Sequence, residues 1–293
     1  MSYKRREFLK LTAAMSSGFA LQGFAHKFST LNDFDEKEKL KSFGLQLYTL
    51  RDDMPKDPKG VLKQIALDGY KQIEGYEGKQ GMFWDMTNFE FKKYLDDLGL
   101  TMVSSHCDIK KDFEKKAGEA AAIGMKYLIC PYKGPQKSID DFKKFAEEFN
   151  QAGEICKKAG IRFAYHNHDY SFKPLEGQLP QDVMIANTDA TLVDYEMDIY
   201  WVVTAGRDPV VEIKKHPERY NLWHLKDRKK NVPLTDTNAS CNLGDGSINF
   251  AKILKTTRNK SGQYYIVEQE RYDNSTPLLS AQKDAEYMKK LKI

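Results

Sequence analysis

Residues 142–169 read FKKFAEEFNQAGEICKKAGIRFAYHNHD, and the fold turns on this stretch. Phe142, Phe145, Phe149, Ala152 and Cys156 recur at spacings of three and four, which places them on one face of a helix. Ala159-Gly160-Ile161 ends that helix, because a glycine just past a helix terminus takes the left-handed conformation that other residues resist. A β-rich run, Arg162–Asn167, follows at once. Alternate residues of a strand share a face, so His166 and His168 point the same way at its end. A helix, a stop, a strand and a polar strand end thus follow one another directly.

The same unit recurs. Asp68-Gly69-Tyr70, Leu98-Gly99-Leu100 and Ile123-Gly124-Met125 are further helix stops followed by apolar strand starts. Predicted strands are Gly44–Leu50, Gln72–Tyr76, Thr101–His106, Tyr127–Tyr132, Arg162–Asn167, Thr191–Asp198, Leu222–Leu225 and Tyr265–Gln269. Strands alternating with helices build a parallel sheet. Eight of them match an α/β chain of the (β/α)8 TIM barrel type, whose usual size is about 250 residues. A doubly wound open sheet is the competing topology. It is disfavoured because no GxGxxG or GxxxxGK[ST] phosphate fingerprint follows an early strand. The expectation is a single barrel domain over residues 41–293.

The first 25 residues differ from the rest. Lys4-Arg5-Arg6-Glu7-Phe8-Leu9-Lys10 precedes a weakly apolar stretch ending in Gly23-Phe24-Ala25, which looks like a twin-arginine export signal. Residues 26–40 read as a charged linker. The expected location is therefore periplasmic, with the leader removed. The 293-residue chain carries 46 Lys+Arg and 42 Asp+Glu, a formal net charge of +4. Four basic residues against Glu7 put three of those four charges in the leader, so the excess is not a nucleic-acid footprint. With 41% hydrophobic residues the chain can bury a core, which excludes disorder as its main state. Four cysteines without a CxxC pair exclude a zinc finger and a disulfide scaffold. No apolar run is long enough to span a membrane. A homo-oligomer is compatible with the sequence.

Chemistry-bearing residues collect at the C-terminal ends of the predicted strands, the end where barrels carry their active sites. His106, His166, His168 and His224 lie there, with Glu74, Asp198, Asp227, Glu268 and Glu270. Glu196 shares a face with Asp198, and Glu268 with Glu270. Such a mixed set suits one divalent Mn, Zn, Co or Fe ion rather than an all-oxygen calcium cage.

Several stretches carry a resemblance to a known family. They are Gly44-Leu45-Gln46-Leu47-Tyr48-Thr49-Leu50-Arg51, Ile73-Glu74-Gly75-Tyr76, Tyr165-His166-Asn167-His168-Asp169, residues 198–206, His224-Leu225-Lys226-Asp227, Leu243-Gly244-Asp245-Gly246 and Ile266-Val267-Glu268. Their order and spacing resemble the xylose isomerase-like TIM barrels known as sugar phosphate isomerases/epimerases, over residues 42–293. The resemblance implies one divalent metal held by the fifth to eighth strands. Carried over, the ligands are Asp198, His224 and Glu268, with His166, or alternatively His168, where the family commonly has a glutamate. That departure speaks against the family's symmetrical two-base epimerisation. Trp201 likewise stands where some relatives carry a substrate-binding histidine.

The chemistry expected is proton abstraction next to a sugar carbonyl, with a metal-stabilised enediolate. Candidate catalytic residues are Glu74, His106, His168 and Lys226. Candidate substrate contacts are Tyr48, Arg51, Trp201, Asp227 and Glu270. Isomerisation or epimerisation is the first reading. The alternatives are β-elimination by a lyase or hydratase acting on a 3-keto-glycoside, and a sugar-binding barrel without catalysis. Export points to a free sugar or keto-glycoside as the small-molecule partner. It also speaks against nucleic acid, and hence against a DNA-cutting relative.

Overall fold

The computed structural model describes residue 40, residues 42–257 and residues 262–293, all within one compact unit, Lys37–Ile293. The stretch expected to be an export signal, residues 1–25, and the expected linker apart from Leu40 lie outside the described residues.

Eight strands close a parallel barrel. In chain order they are β1 Gly44–Gln46, β2 Gln72–Tyr76, β3 Thr101–His106, β4 Tyr127–Cys130, β5 Arg162–His166, β6 Val193–Asp198, β7 Tyr220–Leu225 and β10 Tyr264–Val267. Between β7 and β10 a short antiparallel ribbon, β8 Asp227–Arg228 with β9 Ser240–Cys241, stands outside the barrel. The helices are α1 Pro58–Asp68, α2 Asn88–Leu98, α3 Phe113–Ala122, α4 Ile139–Ala159, α5 Pro180–Ala186, α6 Ile199–Thr204, α7 Pro209–Lys215, α8 Phe250–Lys255 and α9 Pro277–Lys290. None of the described helices is long and apolar enough to cross a membrane, and the four cysteines are free.

The helix of the opening stretch is α4. Ser138 caps its start, and its buried face runs Ile139, Phe142, Ala146, Phe149, Ala152, Gly153 and Cys156. Each Phe so buried contributes about 1.5–3 kcal/mol. Gly153 is needed for close approach, since a Cβ there would stand 2.8 Å from the Leu192 side chain. The four glycine stops read from the sequence all have left-handed φ, from 68° to 100°.

The first strand is shorter than expected. Leu47–Leu50 is a 3-10 turn rather than strand, because the Gln46 side chain accepts the Tyr48 N–H and ends the ladder. The β8–β9 ribbon was not foreseen. Arg228 anchors it, donating to the carbonyls of Pro233 and Asp236 and to the hydroxyls of Tyr200 and Thr204.

Inside the barrel the layers change character along the strands. Arg162 pairs with Asp194 near the N-terminal ends, at 2.8 Å, and Tyr127, Ile129, Ala164, Leu222 and Tyr264 pack in the interior. Above them, towards the C-terminal ends, nearly every inward residue is polar. Two slips in register help to aim them. Ile73 faces Met102 but Glu74 faces Ser104; Tyr195 faces Tyr220 but Glu196 faces Leu222.

One buried carboxyl outside this layer has a measurable consequence. Asp284 on α9 accepts the Leu243 N–H at 2.7 Å, and burial, with Asp227 and Asp245 nearby, pushes its pKa up to about 8. The folded chain therefore holds a proton that the unfolded chain, titrating near 4, releases. That stabilisation is complete below about pH 4 and is lost as pH rises through about 8. Asp284→Asn keeps an acceptor without the charge. It is expected to match the wild type near pH 4 and to pull ahead by about 1.4 kcal/mol per pH unit up to about pH 8, so that at pH 9 it exceeds the wild type by several kcal/mol, on the order of ten degrees in Tm. Equal melting temperatures at pH 9 would contradict the assignment.

Candidate metal centre and active site

Two clusters of four metal-ligating side chains share His224. One is His166, Asp198, His224 and Glu268; the other is Glu74, His106, Glu196 and His224. All seven residues are buried. Their distances tell them apart.

In the first cluster the donor atoms stand apart, all within 4.8 Å of one another. His166 Nε2 lies 3.4 Å from Asp198 Oδ2, and His224 Nδ1 lies 3.4 Å from Glu268 Oε2 and 3.9 Å from Asp198 Oδ2. His166 Nε2, Asp198 Oδ2 and His224 Nδ1 are buried without any hydrogen-bond partner. Orphaned polar atoms of this kind are costly unless something binds them. Two imidazole nitrogens and two carboxylate oxygens at that spacing fit a divalent transition metal. The far side of each ring is held: His166 Nδ1 meets the Pro131 carbonyl at 3.2 Å, and His224 Nε2–H donates to Glu74 at 2.6 Å. Such partners orient metal-binding imidazoles.

The second cluster is instead closed by protons. His106 Nε2 sits 2.8 Å from Glu196 and 3.2 Å from Glu74, while Glu74 also accepts from Gln46 at 2.7 Å and Ser104 at 2.6 Å. Burial alone raises a carboxyl pKa, but the imidazoles of His106 and His224 outweigh it and hold Glu74 well below the usual range. The same pairing overcomes the burial of His106 and lifts it to about 9, so its ring is cationic at neutral pH.

A cavity of about 580 Å³ opens onto the first cluster, lined by His106, His166, His168, Glu268 and Glu270 and walled by Tyr48, Tyr76 and Tyr132. His168 is outside the four-residue cluster, so of the two histidines at the end of β5 it is His166 that belongs to the candidate ligand set. The His168 ring lies parallel to Tyr170 and against Trp201 and Tyr132, with Nδ1 unpartnered. Burial, then the neighbouring His166 and Lys226, keep its pKa well below 6.5 and the ring neutral.

Five expectations need correction. Glu74 is fully buried and does not line the cavity; its carboxylate is spent on His224, Gln46 and Ser104, so it positions a ligand and cannot reach a substrate proton. Lys226 is equally buried, its ammonium 2.8 Å from Glu270 and 3.5 Å from Glu268, where its charge helps hold Glu268 ionised despite burial. Arg51 ties the turn after β1 to the segment after β10 through Tyr272 and the Glu270 carbonyl. Trp201 backs the His168 ring and lies under the Lys226 ammonium rather than on the cavity wall. Asp227 accepts four backbone N–H groups, from Arg228, Gly244, Gly246 and Ile248, and clamps a loop. Tyr48, Glu270, His106 and His168 do line the cavity.

Glu196 is the functional residue missed. Its alternation with Asp198 was visible, but its partner His106 is 90 positions away and nothing local announces the pairing.

The xylose isomerase-like TIM barrel family model matches residues 62–291. The chain belongs to this family. A protein of Parabacteroides distasonis described as a sugar phosphate isomerase/epimerase is 29% identical, with a TM-score of 0.73, over 85% of this chain and 97% of that one. The IolI protein, solved with a bound zinc atom, shares the fold at a TM-score of 0.68 and 12% identity, over 84% of this chain and 95% of that one. Inosose dehydratase of Clostridium perfringens is 28% identical over 164 residues, 51% of this chain and 54% of that protein. The chain thus spans about half the length of the curated relatives it matches.

Proposed function

We propose that this member of the xylose isomerase-like family is a divalent-metal-dependent lyase that eliminates a β-substituent from a keto-sugar. The observation that carries the reading is the inequality of the two imidazoles on the cavity. His106 is clamped between two carboxylates and charged, whereas His168 is packed among aromatic rings, unpartnered and neutral. Groups whose surroundings drive them to opposite protonation states are suited to separate acid and base roles. A symmetrical epimerase would want two matched bases, and the histidine at the end of β5 removes one of the carboxylates such a pair would use.

A metal held by His166, Asp198, His224 and Glu268 would polarise the substrate carbonyl. His168 takes the proton from the carbon next to that carbonyl, and the electron pair forms a C=C bond. The C–O bond one carbon further on breaks, and His106 delivers a proton to the departing oxygen. The products are an unsaturated ketone and either water or an alcohol. The inosose dehydratases, 24–28% identical over about half their length, support elimination over the isomerisation that the sequence reading placed first. The neutral-sugar substrate, the periplasmic location and the removed leader belong to the same proposal. Replacing Arg5 and Arg6 by Lys would then retain the unprocessed chain inside the cell, and normal export of that variant would dismiss the leader.

Incubating the metal-loaded protein with 3-keto-glycosides in D₂O tests the reaction. Release of the aglycone with the ultraviolet absorption of a conjugated ketone is expected. Deuterium at the carbon next to the carbonyl, with the glycosidic bond intact, would overturn elimination in favour of epimerisation.

A further inference from the structure

The cavity is larger than one sugar requires. A six-membered sugar ring of about a dozen heavy atoms fills roughly 200 Å³ at protein packing density, against about 580 Å³ here. With that ring against His166 and Glu268 at the buried end, more than half of the space remains. Its wall is aromatic. Tyr48 and Tyr132 line it while staying 41% and 55% exposed. They are not loose surface side chains. Tyr48 rests edge-on against Tyr76 at 5.3 Å, Tyr76 rests in turn on Trp84 at 5.1 Å, and Tyr132 meets His168 at 4.9 Å and Tyr170 at 5.6 Å. Edge contacts of this kind fix a ring while leaving aromatic surface on the cavity wall.

The charges around this outer chamber are one-sided. Glu77, Asp108 and Glu270 line it, and among the described residues no Lys or Arg does. The cations beside it are already committed, Lys116 to Glu77 at 2.7 Å, Lys226 to Glu270 at 2.8 Å, and Arg51, 4.9 Å from the Tyr48 ring centroid, to Tyr272 and the Glu270 carbonyl. A phosphate in the outer chamber would meet these carboxylates with no Lys or Arg to receive it, the cationic His106 ring lying at the buried end.

We infer that the outer chamber is a subsite for an uncharged ring, and that the substrate is a glycoside whose leaving group stacks on Tyr48 and Tyr132. This rests on the elimination reading for its chemistry, because the ring in the outer chamber is the group expelled. The specificity it implies does not. A sugar bearing a second ring is preferred, and a free or phosphorylated monosaccharide is not.

Binding to the full, metal-loaded protein separates the two. Titration calorimetry with methyl β-D-glucopyranoside, phenyl β-D-glucopyranoside, cellobiose and glucose 6-phosphate is the measurement. Either ringed glycoside is expected to bind at least about tenfold tighter than the methyl glycoside, and which of the two binds tighter distinguishes an aryl from a sugar leaving group. Tyr48→Ala and Tyr132→Ala should each bring the ringed probe down to within about threefold of the methyl glycoside, and Tyr132→Phe should retain the preference. Equal affinities across the neutral probes, or tightest binding of glucose 6-phosphate, would overturn the subsite. Ring preference without any elimination product counts against the reaction and leaves the subsite standing. Elimination without ring preference counts against the subsite alone.

Discussion

Asp198→Asn and Glu268→Gln are each expected to weaken divalent-metal binding by more than about 100-fold, since even the partners behind metal ligands are worth 10–100-fold. The Asn variant is chosen with care. Asp198 Oδ1 also accepts the Trp201 N–H at 3.1 Å and so caps α6, and losing that cap would cost about 1 kcal/mol. Asparagine keeps the cap and removes the charge that faces His166 and His224. Competition against a metallochromic chelator gives the affinity directly, without a substrate. A graded series follows from the hydrogen bonds. Glu74→Gln leaves all four ligand side chains in place but discharges the acceptor of the His224 Nε2–H, so its loss should fall within the 10–100-fold range. Stoichiometric metal in both ligand variants at chelator concentrations that wild type barely withstands would dismiss the site. A Glu74→Gln loss as large as that of Glu268→Gln would move the metal into the Glu74–His106–Glu196 cluster.

The barrel was legible in the sequence because it rests on short-range rules. Helical period, glycine stops and strand alternation are local, and Gly160 and Phe149 each declare their roles within a few neighbours. Position at a strand end predicts direction towards the barrel mouth, and the structure does gather His166, Asp198, His224 and Glu268 there, although singling them out took the family resemblance and left His168 as an alternative to His166. It fails where the same position is used for construction. Asp227 also follows a barrel strand, yet its carboxylate turns to the amides of Gly244, Gly246 and Ile248, residues that become its neighbours only when the loop folds back. Arg51 is satisfied by Tyr272, 221 positions on. Glu74 has the composition of a catalytic base and the surroundings of a strut. What separates the two is depth and the one-residue slip that places it opposite Ser104, and neither can be read from spacing. A polar residue at the mouth is thus easily nominated from sequence; whether its hydrogen-bonding capacity is already spent is a long-range property.

That distinction leads to the prediction with the sharpest kinetic signature. His106 and His168 are the two imidazoles lining the cavity outside the metal-ligand set, and removing either is expected to lower kcat/KM for a keto-glycoside by about 10²–10⁴. The pH profiles should not be alike. In the proposed elimination His106 is the acid and must carry its proton; Glu74 and Glu196 hold that proton until about pH 9, so wild-type activity is expected to be flat through neutrality and to fall as pH rises past 9. In the same proposal His168 is the base and must be neutral. Burial and the nearby cations depress its pKa well below 6.5, so any acid limb from it lies well below neutrality. His106→Gln should therefore abolish the alkaline limb along with most of the rate. His168→Ala should keep the alkaline limb at its original position. A leaving group that departs without protonation supplies the independent check. With such an aglycone the His106→Gln defect should shrink towards wild type, because the acid is no longer needed, whereas the His168→Ala defect should remain in full. Equal rescue of both variants would show that the two rings do not divide the acid and base roles, and the case for elimination over epimerisation would fall with it.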